Sequence, residues 1–240
     1  MKIEKDKDRL TSEVKAVATW AGARLVGIVP ISVTDVSPKV FVGWNVQEYS
    51  MRATEVMSDA KSIVVMGYHV CDDILELAVR HGGHWVYPSY FPLAVLEETV
   101  GNYLERRGYK AIANPPLPQK QLAQLGGLGC YGKNSLIINP KYGPWIRLAT
   151  VLTSADLIPD NPFTVDLCSE CTDCIKACPV QALTPYRVDN RRCLVGIHLT
   201  DSQSFEKNDQ WLQVEPKLSK NAHQMCTRCQ KACRYGREEH

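Results

Sequence analysis

Eight cysteines in the last third of the chain are spaced for chemistry. Four of them form Cys168-Ser-Glu-Cys171-Thr-Asp-Cys174-Ile-Lys-Ala-Cys178-Pro179, a C-x₂-C-x₂-C-x₃-C-P run. That spacing suits iron–sulfur ligation. Three thiolates within seven residues can take three corners of one iron–sulfur cube. The fourth lies a helical turn further on and points away, and Pro179 stops the helix there. An outward thiolate calls for a second cube, and the chain supplies Cys193 and then Cys226-Thr-Arg-Cys229-Gln-Lys-Ala-Cys233. Two [4Fe–4S] clusters would use all eight. Cys168, Cys171 and Cys174 take Cys233, and Cys178 joins Cys193, Cys226 and Cys229. Structural zinc and disulfides are the alternatives, because paired C-x₂-C also binds zinc. Zinc would need neither the third closely spaced cysteine nor the C-P ending.

A second stretch with chemical potential is Gly126-Gly-Leu-Gly-Cys-Tyr-Gly-Lys-Asn134. Its glycines let backbone turn sharply or approach a ligand closely. It fails the phosphate-loop pattern, because Asn134 stands where Ser or Thr is required. It also fails the dinucleotide fingerprint, because helix rather than strand precedes it. The alternative is that these glycines only turn the chain between core elements. Between His69 and Tyr90 the residues His69, Cys71, His81 and His84 could suggest a metal, but their spacing matches no familiar zinc pattern. Aromatic residues beside Gly82-Gly83 fit a loop over a pocket, or ordinary loop packing.

The elements that must position these residues are legible from periodicity. Leu10, Val14, Val17 and Trp20 predict an amphipathic helix over about 8–22. Residues 24–29 and 62–68 read as buried strands, with a helix near 47–58 between them. Leu93, Leu96, Val100 and Leu104 mark a long helix closed by Gly108. Asn114-Pro-Pro-Leu-Pro118 is an extended break, followed by a short helix through Leu122 and Leu125. Strands at 135–139 and 145–153 flank Pro140–Pro144, a hairpin or tight connection. Residues 158–163 read as a linker. Helix and strand in alternation predict a mixed α/β layer structure, with domains at 1–160 and 161–240.

The chain has 240 residues, 45% hydrophobic, with 28 basic against 26 acidic side chains and a net charge of +2. That balance lends no support to bulk electrostatic binding of nucleic acid or an anionic membrane. No run approaches the roughly 18 apolar residues of a membrane helix, and the first residues lack the apolar core of a signal peptide. The expectation is a protein of a reducing cytoplasm whose cysteines bind metal.

Leu25-Val-Gly-Ile28, Asp59-Ala-Lys-Ser-Ile-Val-Val65, Gly127-Leu-Gly-x-x-Gly-Lys-Asn134, Asn139-Pro-x-x-Gly143 and the two cysteine runs occur in one order. In that order they resemble the epoxyqueuosine reductases and, more remotely, the cobalamin-dependent reductive dehalogenases. The resemblance implies an α/β, nitroreductase-like cobalamin-binding domain followed by a ferredoxin-like double-cluster domain. Electrons from a low-potential donor, such as a ferredoxin or flavodoxin, would pass through the clusters to the cobalt. Gly129, Gly132, Lys133 and Asn134 would lie against the corrin. Cys130 and the Cys71 region would approach the cobalt, and Tyr131 would donate a proton.

Departures from that family shape the functional expectation. The segment Ile112-Ala-Asn-Pro-Pro116 has no carboxylate where the family carries a catalytic Asp, and Cys130 replaces an aromatic residue. Arg234 replaces the proline after the last cysteine, and the chain stops before the family's helical-repeat domain. The expectation is therefore a short cobalamin-dependent or corrinoid-reducing oxidoreductase acting on a corrinoid or a small molecule, with tRNA an unlikely partner. Two alternatives are an electron-transfer module without catalysis and a flavin-binding reductase of the same fold.

Overall fold

The apolar runs expected as buried strands lie side by side in a four-stranded sheet. Its order is Leu25–Pro30, Ser62–His69, Ile146–Thr153 and Ala111–Ala113. Leu25–Pro30 runs antiparallel to Ser62–His69, with Leu25 opposite Gly67 and Pro30 opposite Ser62. Ile146–Thr153 runs antiparallel to Ala111–Ala113. Ile63, Val64, Val65 and Met66 are all fully buried, which explains a continuous apolar run rather than an alternating one. The structure, a computed structural model, describes residues 2–42, 48–70, 76–82, 84–196, 217–219 and 221–236.

Helix Lys2–Trp20 buries Leu10, Val14 and Ala18, a stripe at i, i+4 and i+8. Trp20, read from the sequence as part of the apolar face, is instead 83% exposed. Helix Phe91–Arg106 buries Leu93, Leu96, Val100 and Leu104 as their spacing predicts. It closes at Gly108, with φ +85°, and Tyr109 N–H donates back to Leu104 O. That is the glycine stop expected there. Glu97 on the same helix is buried and accepts the Thr150 N–H at 3.0 Å.

Three local expectations change. The helix near 47–58 shrinks to the single turn Ala53–Val56, behind the short strand pair Phe41–Val42 and Glu48–Tyr49. The Asp35 carboxylate accepts the Ala53 N–H at 2.8 Å and fixes where that turn starts. Residues 69–90, read as irregular, contain the hairpin Leu77–His81 and His84–Val86, and Ala222–Gln224 adds to its edge. The Gly82-Gly83 pair was the available signal for a two-residue turn. Finally, Pro140–Pro144 is a tight connection, with Asn139 and Gly143 exchanging backbone hydrogen bonds, but the strands around it do not pair. Ile137–Ile138 pairs with Cys130–Tyr131 instead.

The stretch read as a linker is pinned to the sheet. Ile28 N–H donates to Asp160 Oδ2 at 2.8 Å, and Asp160 N–H returns to Ile28 O at 2.9 Å. Phe163 N–H reaches Gln124 O, and Ile158 N–H reaches Thr11 Oγ1.

By contact the chain forms two units, each built from separated segments. One comprises 1–69, 92–129 and 147–164, and the other 70–91, 130–146 and 165–240. The interleaving follows from strand pairing, since Ala222–Gln224 recruits Leu77–His81 from far upstream. The contact units therefore do not divide at 160–161, the boundary expected from the sequence. No helix among the described residues is long and apolar enough to cross a membrane.

Candidate iron–sulfur centre

The site is assembled within the second unit from a hairpin and two cysteine-bearing turns. The hairpin joins Cys130–Tyr131 to Ile137–Ile138 through the Gly-Lys-Asn sequence. Gly132 N–H donates to Leu136 O at 2.7 Å, and Ser135, at φ +61°, donates its N–H to Gly132 O. Buried Asn134 closes the turn by accepting the Leu136 N–H on Oδ1 at 3.1 Å. A Cβ on Gly132 would stand 2.6 Å from Ile138 Cγ1. Turn chemistry and packing thus account for Gly132 and Asn134, which were expected to face a corrin.

The same holds for two more glycines of the block, in the first unit. A Cβ on Gly126 would meet Val65 Cγ1 at 2.7 Å, and one on Gly127 would meet Asn161 O at 2.8 Å. Gly129 is buried. Protein atoms occupy the space that three of these missing side chains would fill, so the block offers no open cradle at those positions.

Lys133 points toward the cysteines. Its N–H donates to Cys168 Sγ at 3.4 Å, and its ammonium contacts Ser169 O. The cysteine-bearing turns repeat one another: Thr172-Asp-Cys174-Ile-Lys-Ala-Cys178 and Thr227-Arg-Cys229-Gln-Lys-Ala-Cys233. Each forms a one-turn helix, Asp173–Lys176 and Arg228–Lys231, and the two pack together. Lys176 N–H donates to Thr172 O, and Lys231 N–H to Thr227 O, so both turns start alike. In each repeat one cysteine sits in the helical turn and the next follows it. Composition alone obscures this pairing, but aligning Thr-x-Cys-x-Lys-Ala-Cys would have found it.

The electrostatics sort the thiols. Burial pushes Cys174 up to about 11, and the neighbouring thiols of Cys168, Cys233 and Cys171 add to the effect. Burial likewise pushes Cys229 up to about 12, with Cys226, Cys193, Cys174 and Cys178 as its thiol neighbours. Cys174 thus has neighbours from its own expected set, whereas Cys229 has neighbours from its own set together with Cys174. Crowded, part-buried thiols resist ionising by themselves, and a bound cationic iron cluster would favour their thiolate form. None of the nine cysteines among the described residues is in a disulfide. Among the described residues no three His, Cys, Asp or Glu side chains gather closely enough for one metal ion. The donor set fits iron–sulfur cubes. Cys71 lies outside the described residues.

Backbone donors and flanking side chains hold this arrangement. Ala182 N–H donates to Cys178 Sγ at 3.3 Å. Asp166 accepts the Cys168 N–H at 2.9 Å, which holds its carboxyl below the usual range, and the Tyr186 hydroxyl at 3.1 Å. Arg234, where a proline was expected, donates to Leu167 O and ties the last motif to the first. The Asn139–Gly143 turn is organised by Asn139 Oδ1, which accepts the Lys141 and Tyr142 N–H groups.

Cys130 is buried, at 3% exposure. Its thiol is hydrogen-bonded to Cys168 and also accepts the Leu167 N–H. The bond from Cys130 is the largest influence on Cys168, drawing its thiol down, while Cys130 is pushed up. Tyr131, beside it, is half-buried.

A family profile described as a 4Fe-4S double cluster binding domain matches residues 167–236. An epoxyqueuosine reductase from Synechococcus sp. (strain RCC307) is 40% identical over 101 residues, covering 40% of this chain and 31% of that one. The chain spans about a third of the length of the first curated relatives it matches. Among solved structures, an epoxyqueuosine reductase with an epoxyqueuosine-modified tRNA-Tyr stem loop matches at TM-score 0.70 and 18% identity. That match covers 96% of this chain and 66% of the other. A reductive dehalogenase, described in terms of B12-dependent dehalogenation, matches at TM-score 0.65 and 20% identity, over 96% of this chain and 32% of that one.

These findings correct one expectation. A structure of the same fold holds a tRNA stem loop, so the view that tRNA is an unlikely partner is withdrawn. A net charge near zero is a sum over the whole surface and does not report local potential. Exposed Arg187, Arg191 and Arg192 stand close in sequence within the cluster-binding segment. The mixed α/β fold expected from the sequence is the fold of these solved reductases, and the chain is similar to epoxyqueuosine reductases, with a double [4Fe–4S] cluster-binding segment at 167–236.

Proposed function

We propose that the chain is a cytoplasmic iron–sulfur oxidoreductase that passes low-potential electrons through two [4Fe–4S] clusters to a bound corrinoid. The observation that carries this reading is the packing of the two repeated cysteine turns against each other, within a segment that matches a 4Fe-4S double cluster binding domain. Bound clusters would supply one-electron transfer at potentials reaching about −700 mV, low enough to reduce cobalt. The chain's own contribution is to aim the Lys133 N–H at the Cys168 sulfur and the Ala182 N–H at the Cys178 sulfur. Cobalamin enters through the likeness to a B12-dependent dehalogenase. The glycine block does not argue for it, because Gly126, Gly127 and Gly132 face protein atoms. A nitroreductase-like kinship of the first unit, a functional boundary near 160 and an external ferredoxin- or flavodoxin-type donor complete the reading. A modified nucleoside in tRNA is the substrate class the relatives suggest.

The test uses the full chain, reconstituted with iron and sulfide without oxygen, reduced, and titrated with cob(II)alamin. Change in the corrin absorption, followed by removal of the epoxide oxygen from epoxyqueuosine-containing tRNA, is the expected result. A chain that carries both clusters yet neither perturbs nor reduces cobalamin overturns the corrinoid reading.

A further inference from the structure

Cys130 is the ninth thiol of the second unit's described residues, and the two-cluster partition leaves it without an iron. It does not sit apart from the clusters. It is buried on the Cys130–Tyr131 strand, hydrogen-bonded to Cys168 and oriented by the Leu167 N–H. Cys168 therefore receives donors from two points of one hairpin, the Cys130 thiol and the Lys133 N–H at 3.4 Å. The hairpin is held rigid from within by Gly132, Asn134 and Ile138, so both donors are fixed in place.

We propose that Cys130 tunes the first cluster by donating its S–H to the Cys168 sulfur, as a positioning residue that ligates no iron. The inference rests on the cluster reading above and deepens it. When a cluster takes up an electron its sulfurs become more negative, and each hydrogen bond to them strengthens. Donors to cluster sulfur thus stabilise the reduced state and raise the reduction potential. Burial amplifies the effect, because little solvent competes for the bond. Of the two clusters only the one ligated by Cys168 should respond.

The experiment compares the reconstituted parent chain, Cys130→Ala and Cys130→Ser by iron and sulfide analysis and by potentiometric titration followed by electron paramagnetic resonance. All three should carry about eight irons. Cys130→Ala should move one of the two couples to lower potential and leave the other in place. Cys130→Ser, which keeps a hydroxyl donor, should return that couple toward the parent value. Identical potentials in all three proteins, or equal movement of both couples, overturn the proposal. Loss of about half the iron from Cys130→Ala overturns it too, since Cys130 would then be a ligand. A parent chain without two clusters fails the underlying reading, and the iron count reveals that separately.

Discussion

Gly143 and Tyr235 meet backbone to backbone: a Cβ on Gly143 would stand 2.1 Å from the Tyr235 carbonyl oxygen. Gly236 makes the reciprocal approach to Tyr142 O, at 2.5 Å from its own added Cβ. Both glycines have positive φ. The turn after the glycine block and the end of the last cysteine motif are thereby locked together without side chains. Gly143→Ala should cost at least about 2 kcal/mol, from the collision and the left-handed backbone together. Gly82→Ala is the control, because Gly82 has φ +57° but nothing within 4 Å. It should lose only about 1 kcal/mol. Denaturant midpoints of the apo-protein measure both, and equal losses would mean that the close approach carries no weight.

The partition of the thiols predicts a split iron count. Cys174→Ala and Cys229→Ala should each lose about half of the roughly eight irons, and each should keep the resonance signal of a different cluster. Unchanged iron in either variant, or zinc bound tightly in place of iron, contradicts the assignment.

Glu97 gives the fold a pH dependence. Burial lifts its carboxyl to about 7, against the Thr150 hydrogen bond that favours the charged form. The unfolded chain releases this proton near the ordinary glutamate value of 4.5, so the folded state binds more protons between these two values. Stability from this group is therefore full below about 4.5 and declines as pH rises through about 7. Glu97→Gln keeps an acceptor for Thr150 and removes the titration. It should match the parent at pH 5 and exceed it at pH 8 by about 1–2 kcal/mol, after allowance for solvent screening. A constant difference across that range would place the cause elsewhere.

Asp160 anchors the stretch before the cysteines. Its carboxylate accepts the buried Ile28 N–H and pairs with Lys15 Nζ at 2.6 Å. Asp160→Ala should cost about 1–3 kcal/mol by orphaning that N–H. Lys15→Ala should cost under about 1 kcal/mol, because the ion pair is partly exposed. Chemical denaturation of the two variants tests the ordering, which reverses if the ion pair dominates.

Local spacing carried much of this protein in plain view. The short, β-branched apolar run Ile63–Met66 reads as a buried strand, and the stripe Leu93–Leu96–Val100–Leu104 reads as one face of a helix. The cysteine run is equally local, because Cys168, Cys171 and Cys174, three ligands of one cube, lie within seven residues. The tertiary structure decided whatever depends on a distant partner. Trp20 left the apolar face because Ala18, not Val17, met the core. Leu77–His81 became a strand because Ala222–Gln224 offered an edge to pair with. Gly126 and Gly132 turned out to be small for Val65 and Ile138, which no pattern of glycines reveals. Cys130 gained its meaning from Cys168, 38 positions away in the chain. Spacing along the chain specifies backbone conformation and near neighbours, whereas contact between remote segments is set only when the whole core closes.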